Sequence, residues 1–386
     1  MKDSEKWLFL DNTLEKKNIP FHIPLVTGSE SEHVNAAIRN KYLGAGGDFT
    51  KKCSSFLEDF TGCKKVIMTT SCTDALEMAA ILADIKEGDE VIMASFNFVS
   101  AANAFVMRGA KICFVDIDQM NMNIDAKLIE AAISPRTKVI VAMHYSGVPC
   151  EMDTIMGLAE KYNLLVVEDA AHCIGAFYKD RHLGSIGHLG AISFHETKNI
   201  QCGEGGALMI NDERLIQRAL IIRDKGTNRS DFNKGIVKKY TWVDIGSSFG
   251  LSELNAAFLF GQLLQIQERN QFRIDLCKQY KAFFSDFKKH EIPEDPGNGH
   301  IFYVKFDSVE KRDRMIDHLK TFYIEAVSHY EPLHQSVAGK KYGYFSGEDN
   351  FTTKCSKTLL RLPLHQDINN EDILYLFQRF MQVYEM

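Results

Sequence analysis

The 386 residues, 45% hydrophobic and 25% charged, have the composition of an ordinary globular chain, and single cores stop growing at roughly 250–300 residues, so two lobes are expected. A net charge of −6 argues against a general affinity for nucleic acid or an anionic membrane surface, while leaving room for a local basic pocket around a phosphorylated ligand. No uncharged run of about 20 residues and no signal-peptide stretch are found, and nine cysteines without a CxxC pair or regular spacing read as reduced thiols of a cytoplasmic protein.

From about residue 64 to 210, short β-rich runs alternate with helical patterns. "KKVIMTT" (64–70) predicts a strand and "TDALEMAAILADI" (73–85) a helix. "DEVIMA" (89–94) is a strand, "VSAANAFVMRG" a helix and "KICFVDI" (111–117) a strand. "TKVIVAMHY" (137–145) and "LLVVED" (164–169) are strands with a helix across 151–162 between them; "AISF" (191–194) and "ALMI" (207–210) close the series. Continuous Val/Ile runs in alternating βα units imply an α/β fold with a large, mostly parallel seven-stranded sheet covered on both faces. In such sheets ligands collect at the carboxyl ends of the strands, which singles out residues 70–74, 95–98, 144–147, 169–172 and 195–206. Residues 246–287 read as a long amphipathic helical stretch with room for a bend, ended by the Pro/Gly-rich "EIPEDPGNGH". "IFYVKF" (301–306), a helix near 309–321, "YIEAVSHY" (323–330) and a C-terminal helix then compose a small α/β lobe. The boundary falls at about 265–290 and is drawn as a large domain over 1–270 and a small one over 271–386.

The stretch "AISFHETKNIQCGEGGA" (191–207) admits three chemistries. A zincin needs His-Glu-x-x-His, and position 199 holds Asn199, so a metal site is not expected. A dinucleotide turn needs GxGxxG directly after a strand; "GEGGA" lacks the spacing and "GSIGHLG" (184–190) lacks the strand. A lysine that bonds covalently to a carbonyl fits better, because an amine desolvated in a cleft near other cations has a lowered pKa. Taken alone, Lys198 is more often a surface lysine.

Two further segments bear on it. "VVEDAAH" (166–172) ends a buried strand with Glu168 and Asp169; an inward carboxylate there suits a protonated pyridine nitrogen, or else is a strand-end turn acid or helix cap. "TTSCTDALEM" (69–78) passes from strand to helix through small and hydroxyl residues, whose free N–H groups and helix dipole suit a phosphate, or else form an ordinary N-cap.

With "SCTDALEMAA", "FNFVSAANAF", "VVEDAAH", "SFHETKN", "GEGGA" and "RLPLH" in this order, the chain resembles the fold-type I, aspartate aminotransferase-like sugar aminotransferases of the DegT/DnrJ/EryC1 group, from about residue 20 to the end. "KGTNRSDF", "YTWVDIGSS" and "VSHYEPLH" resemble the branch that makes dTDP-4-amino-4,6-dideoxygalactose. The resemblance implies pyridoxal 5′-phosphate as cofactor and L-glutamate as amino donor. It also implies a dTDP-4-oxo-6-deoxyhexose as acceptor, for O-antigen and other surface polysaccharides, and a homodimer with active sites at its interface.

By the same resemblance Lys198 bonds the cofactor and moves the proton, and Asp169 pairs with the pyridine nitrogen. Ser193, with Cys72 and Thr73, holds the phosphate. Phe98 stacks on the ring, while Phe96, on the other side of an extended segment, is core. His172 stands where the family usually has glutamine, near the ring hydroxyl. His195 lies close to the reacting centre or is a structural histidine. Ser247 and Ser248 replace an asparagine that in many relatives reaches the partner's phosphate, and Ser248 takes that place here. His329, Tyr330 and His334 border the sugar, and Asn228 and Arg229 the nucleotide diphosphate. The alternatives are a 3-oxo-sugar aminotransferase and a non-catalytic regulator that kept the fold. Sugar 3-dehydratases of the same fold carry histidine where this chain has Lys198. The N-terminal extension over 1–18 has no assigned role.

Overall fold

A computed structural model describes residues 17–285 and 291–384; the predicted extension over 1–18 therefore lies outside the described residues except for Lys17 and Asn18. Two helices, α1 (Ser29–Arg39) and α2 (Asp48–Thr61), precede the alternation of strand and helix. It runs β1 (Lys65–Thr69), α3 (Cys72–Leu82), β2 (Glu90–Ala94), α4 (Val99–Val106), β3 (Lys111–Val115), α5 (Ala126–Ala132), β4 (Thr137–Met143), α6 (Met152–Tyr162) and β5 (Leu165–Asp169). A short hairpin, β6 (Phe177–Tyr178) with β7 (Arg181–His182), leads to β8 (Leu189–Ser193) and β9 (Gly206–Ile210).

With β11 (Gly343–Phe345) at one edge, the sheet order is β1-β9-β8-β5-β4-β2-β3-β11. Only β9 runs against its neighbours. The strands alternate strictly between two cores. In β4, Ile140 and Ala142 face the layer of α2, α6 and α9 (Glu253–Leu263), whereas Val139 and Val141 face α3, α4 and α7 (Ile216–Arg223). Burial on both faces is why the strands read as unbroken apolar runs. The seven predicted strands are present, joined by an eighth, β11 (Gly343–Phe345), parallel to β3. It approaches so closely that a Cβ on Gly343 would lie 2.6 Å from the carbonyl oxygen of Ile112. Three residues give no periodicity to read.

After α8 (Arg229–Asn233) and a run of turns and bends over 234–239, the segment to Gly250 is extended in part, bridging Thr227 with Trp242, Asp224 with Ser248 and Thr69 with Gly250. The expected helical stretch thus starts later, at Glu253, capped by Ser252, and bends between α9 and α10 (Ile266–Ser285). α10 passes from one core to another: Ile266 packs under the sheet, while Leu276, Phe283 and Phe284 pack into a separate cluster. That cluster gathers β10 (Tyr303–Lys305), α11 (Val309–Thr321), β12 (Leu359–Arg361) and α14 (Asn370–Tyr384), with α12 (Val337–Tyr342) and α13 (Thr352–Thr358) on its sheet side. Residues 323–330 make only isolated bridges, Ile324 with Ile19 and Val327 with Arg361.

Residues 17–26 form a strap across these units. Lys17 pairs with Glu371 at 2.8 Å, and His365 Nε2 lies 3.1 Å from the Pro20 carbonyl. Further along, His22 Nε2 meets the Glu196 carbonyl at 2.8 Å, and the Leu25 carbonyl accepts from Gln262 at 2.9 Å. Among the described residues no helix is long and apolar enough to cross a membrane.

Candidate active site

The loops at the carboxyl ends of β1, β2, β5 and β8 meet around a cavity of about 470 Å³. Cys72, Thr73, Phe98, Asp169, His172, Ser193, His195 and Lys198 all line it, and the second wall brings His329 and Tyr330. Ten of the residues singled out from sequence therefore converge on one space.

At one end α3 begins. Ser71 caps it by accepting the Asp74 amide at 3.0 Å, and the first-turn amides of Cys72 and Thr73 are left without intrahelical partners. Thr73 Oγ1 donates to Ser100 Oγ at 2.9 Å, and Ser193 Oγ lies beside the His195 amide at 3.3 Å. Gly206 is packed against this turn, and a Cβ there would fall on the Cys72 amide and the Ser71 carbonyl. Amides, hydroxyls and a helix dipole make this end an anion cradle.

At the other end stands Lys198, whose turn is closed by its amide donating to the His195 carbonyl at 2.9 Å. Its Nζ has no hydrogen bond or ion pair among the described residues. Burial lowers its pKa to about 8, and the Arg361 charge adds to this against the pull of Cys72 and Asp169. Asp169 is fixed by register with Met143 on β4 and Ala191 on β8; its carboxylate accepts the Ala171 amide at 3.2 Å. Burial raises its pKa, offset by the Ala171 N–H and the Lys198 charge. A cation placed against it would favour its ionised form.

Glu168 points to the opposite face. It accepts His144 Nε2 at 2.9 Å and the amides of Gly184, Ile186 and Gly187 at 2.7, 2.7 and 2.6 Å. Burial alone would raise its pKa, but these donors hold it below the usual range.

The wall opposite the sheet is rich in aromatic rings and carries the cations Arg273 and Arg361. Burial first, then the Lys198 and Arg361 charges, hold His172 and His329 well below the ordinary histidine value. Tyr145 hydroxyl meets His329 Nδ1 at 2.8 Å, and the His329 and Tyr330 rings stack at 3.7 Å. Phe96 is fully buried beneath them, while Phe98 is 53% exposed at the cavity rim. At the mouth, His195 Nδ1 accepts the Thr197 amide at 3.2 Å, and its Nε2 faces Glu204 at 3.6 Å.

The remaining sequence candidates lie elsewhere in this chain. Ser248 is exposed on the extended segment. Asn228 precedes α8 and accepts the Thr241 amide at 2.7 Å, and Arg229 is exposed. His334 lies between Ser95 Oγ at 2.7 Å and Asp349 at 3.2 Å. Sequence reasoning missed Arg273, His300, Arg361, Glu204, Phe21 and His22, all on the cavity wall. The quoted "RLPLH" and "GEGGA" held Arg361 and Glu204 but gave them no role.

An aldehyde-bearing pyridine phosphate fits this donor set: an unpaired amine, a buried carboxylate and an anion cradle whose glycine leaves no room for a side chain. The sequence pattern of the DegT/DnrJ/EryC1/StrS aminotransferase family matches residues 25–380. The chain is similar to the spore coat polysaccharide biosynthesis protein SpsC of Bacillus subtilis, 31% identical over 377 residues and covering 93% of this chain and 96% of that protein. It is also similar to the putative sugar aminotransferase Spr1654 of Streptococcus pneumoniae in its PLP form, with TM-score 0.87, 25% identity and coverage of 96% and 99% of the two chains. Helicobacter pylori PseC shares the fold, with TM-score 0.88, 24% identity and coverage of 96% and 100%. The chain therefore belongs to the DegT/DnrJ/EryC1/StrS aminotransferase family and is a pyridoxal-phosphate-dependent sugar aminotransferase.

Proposed function

We propose that the enzyme moves an amino group from L-glutamate to the keto carbon of a dTDP-4-oxo-6-deoxyhexose, giving a dTDP-4-amino-4,6-dideoxyhexose for a surface polysaccharide. The observation that carries the transfer is the pairing of an unpartnered, low-pKa Lys198 amine with a buried Asp169 in one cavity. The sugar reading is supported by the imidazole and phenol groups of His172, His329 and Tyr330, which offer hydrogen bonds to hydroxyls. The polysaccharide reading is supported by similarity to SpsC.

Pyridoxal phosphate supplies an aldehyde for the amino group and a ring that takes up negative charge. In this proposal Asp169 keeps a proton on the ring nitrogen, and the α3 first turn with Thr73 and Ser193 holds the phosphate. Phe98 and His172 border the ring. With the cofactor bound, Lys198 Nζ would take up the proton released by the donor's α-carbon and hand it on, which requires the neutral amine and so favours a lowered pKa. His195, oriented by Thr197, handles protons at the mouth; His329 and Tyr330 orient the sugar. The roles of Asn228, Arg229 and Ser248 belong to a homodimer in which this segment meets a second copy. Exposed Trp242 (80%), Val243 and Ile236 on the same segment support that arrangement. The division of the chain near residue 270 into a large and a small domain is part of the same proposal, with the separate cluster beyond Leu276 as its support.

Incubation with dTDP-4-oxo-6-deoxyglucose and L-glutamate, followed by NMR of the product, tests the reading. An amine at C4 is expected; an amine at C3, or no amino sugar, overturns it.

A further inference from the structure

The turn that follows β4 touches two of the cavity's histidines. Its residues, Tyr145–Gly147, include Ser146 in the left-handed region at φ 60°, ψ 16°, a conformation that persists in a residue with a side chain only where its surroundings enforce it. They do so here. The Tyr145 amide donates to Asn123 Oδ1 at 2.7 Å, the Ser146 hydroxyl donates to the Ile301 carbonyl at 3.0 Å, and a Cβ on Gly147 would run into the Asn298 side chain. The Tyr145 ring is fully buried, edge-on to Phe96 at 5.1 Å and tilted against Tyr303 at 5.9 Å. Its hydroxyl is thereby held 2.8 Å from His329 Nδ1, although Tyr145 itself does not line the cavity.

Only one arrangement of protons satisfies these atoms. Burial raises the Tyr145 pKa above the ordinary phenol value, so the phenol keeps its proton. Among the described residues that O–H has no acceptor other than His329 Nδ1. Were Nδ1 to carry a proton, in the other tautomer or in the imidazolium, it would donate to the phenol oxygen and leave a buried O–H unpaired. The phenol therefore donates, Nδ1 accepts, and the single proton of a neutral His329 sits on Nε2. Nε2 has no partner among the described residues and His329 lines the cavity, so this N–H is available to a ligand. The Ser146 amide acts in the same way on His172. It donates to Nδ1 at 3.3 Å, which puts the proton on Nε2, 3.4 Å from the Tyr330 hydroxyl. That hydroxyl accepts, and its own O–H is free to donate. One turn thus makes His329 and Tyr330 hydrogen-bond donors to the cavity.

We propose that Tyr145 is a positioning residue for the sugar acceptor: by donating to His329 Nδ1 it keeps the His329 proton on Nε2, and that N–H binds a hydroxyl or keto oxygen of the sugar. Without the phenol, either nitrogen of His329 can carry the proton. The molecules protonated at Nδ1 then set a nitrogen lone pair against the lone pairs of the sugar oxygen. The inference rests on the sugar-transaminase reading above and adds to it a residue that touches no ligand.

The test uses the cofactor-loaded enzyme with Tyr145→Phe, which keeps the ring and removes only the oxygen, alone and combined with His329→Gln. Glutamine offers an amide N–H and has no tautomer to set. The first readout is the ring-nitrogen NMR spectrum of histidine-labelled protein, with the His329 signals identified by their loss in His329→Gln. Wild type is expected to show a protonated Nε2 and a bare Nδ1, and Tyr145→Phe a shift toward protonated Nδ1. The second readout separates the half-reactions. After bleaching with L-glutamate, Tyr145→Phe should need about tenfold more dTDP-4-oxo-6-deoxyglucose for half-maximal return of the yellow absorbance. The L-glutamate concentration needed for bleaching should change by less than about twofold, as should the sugar requirement when Tyr145→Phe is added to His329→Gln. A wild-type His329 protonated at Nδ1, an equal loss in both half-reactions, or the same cost with and without His329 overturns the inference. If glutamate bleaches the wild type and the sugar nucleotide does not restore its colour, the proposed acceptor falls, and the nitrogen spectra alone decide whether Tyr145 sets the His329 proton.

Discussion

His300 Nδ1 lies 2.9 Å from the side-chain oxygen of Asn199, the residue after Lys198. The Asn199 amide nitrogen donates to Asn270 on α10 and to the Asn298 carbonyl at 2.9 and 3.0 Å, so its oxygen must accept the His300 proton. His300 is thereby fixed with Nε2 as acceptor. Asn199 ties the catalytic loop, α10 and the 298–300 turn together. Asn199→Ala should cost about 1–3 kcal/mol of unfolding free energy by orphaning these buried groups. It should also lower turnover more than cofactor affinity, as denaturant unfolding and steady-state kinetics will show.

Lys198→Ala should abolish turnover while leaving the circular dichroism spectrum unchanged. In the cofactor-free protein the wild-type amine should react with an aldehyde probe with a midpoint near pH 8. Because its folded pKa lies below the ordinary 10.5, the folded state binds fewer protons than the unfolded state between these values. Burial of the charged amine thus costs stability below about 8, and the cost is relieved as pH rises toward 10.5. Thermal scans of Lys198→Met should lack this rise.

Glu168→Gln replaces a carboxylate satisfied by four donors with a group that sets an NH₂ against backbone amides. A loss of about 2–4 kcal/mol is expected. The Glu168 pKa is depressed in the fold, so its contribution is present above the ordinary value of 4.5 and lost as pH falls through the folded value. The variant's acid-unfolding profile should be flatter below that pH; an unchanged profile would sink the assignment.

Much of this was legible from sequence because strand ends announce themselves. The Val/Ile runs located the sheet: Asp169 and Ser193 end strands β5 and β8, the α3 turn follows β1, and Lys198 stands in the loop after β8. Arg361, His300 and Phe21 were not legible. They come from short bridges and turns without periodicity, and their role depends on packing against residues far away in sequence. The helical stretch starts at Glu253 and not at 246: residues 246–250 hold one apolar side chain, Phe249, and backbone bridges of Ser248 to Asp224 and of Gly250 to Thr69 keep them extended. Helix α2 went unremarked although it ends on Gly62 in the left-handed region, φ 72°.

Gly206→Ala should displace the α3 first turn, since the new methyl would collide with the Cys72 amide. Cofactor affinity should fall at least about tenfold, measured by absorbance titration, because fixed backbone donors carry the phosphate.

Pro20 and His365 meet across 345 positions of sequence, and Phe21 covers Arg361 in the same neighbourhood. During synthesis the strap emerges before the sheet, yet its docking surface is translated after it. Its own wall does not exist until β12 and the start of α14 have left the ribosome. The sheet can assemble earlier from contacts closer in sequence. Closure of the catalytic chamber therefore follows assembly of the sheet, and a nascent chain that has not yet made β12 and α14 has a sheet but no finished pocket.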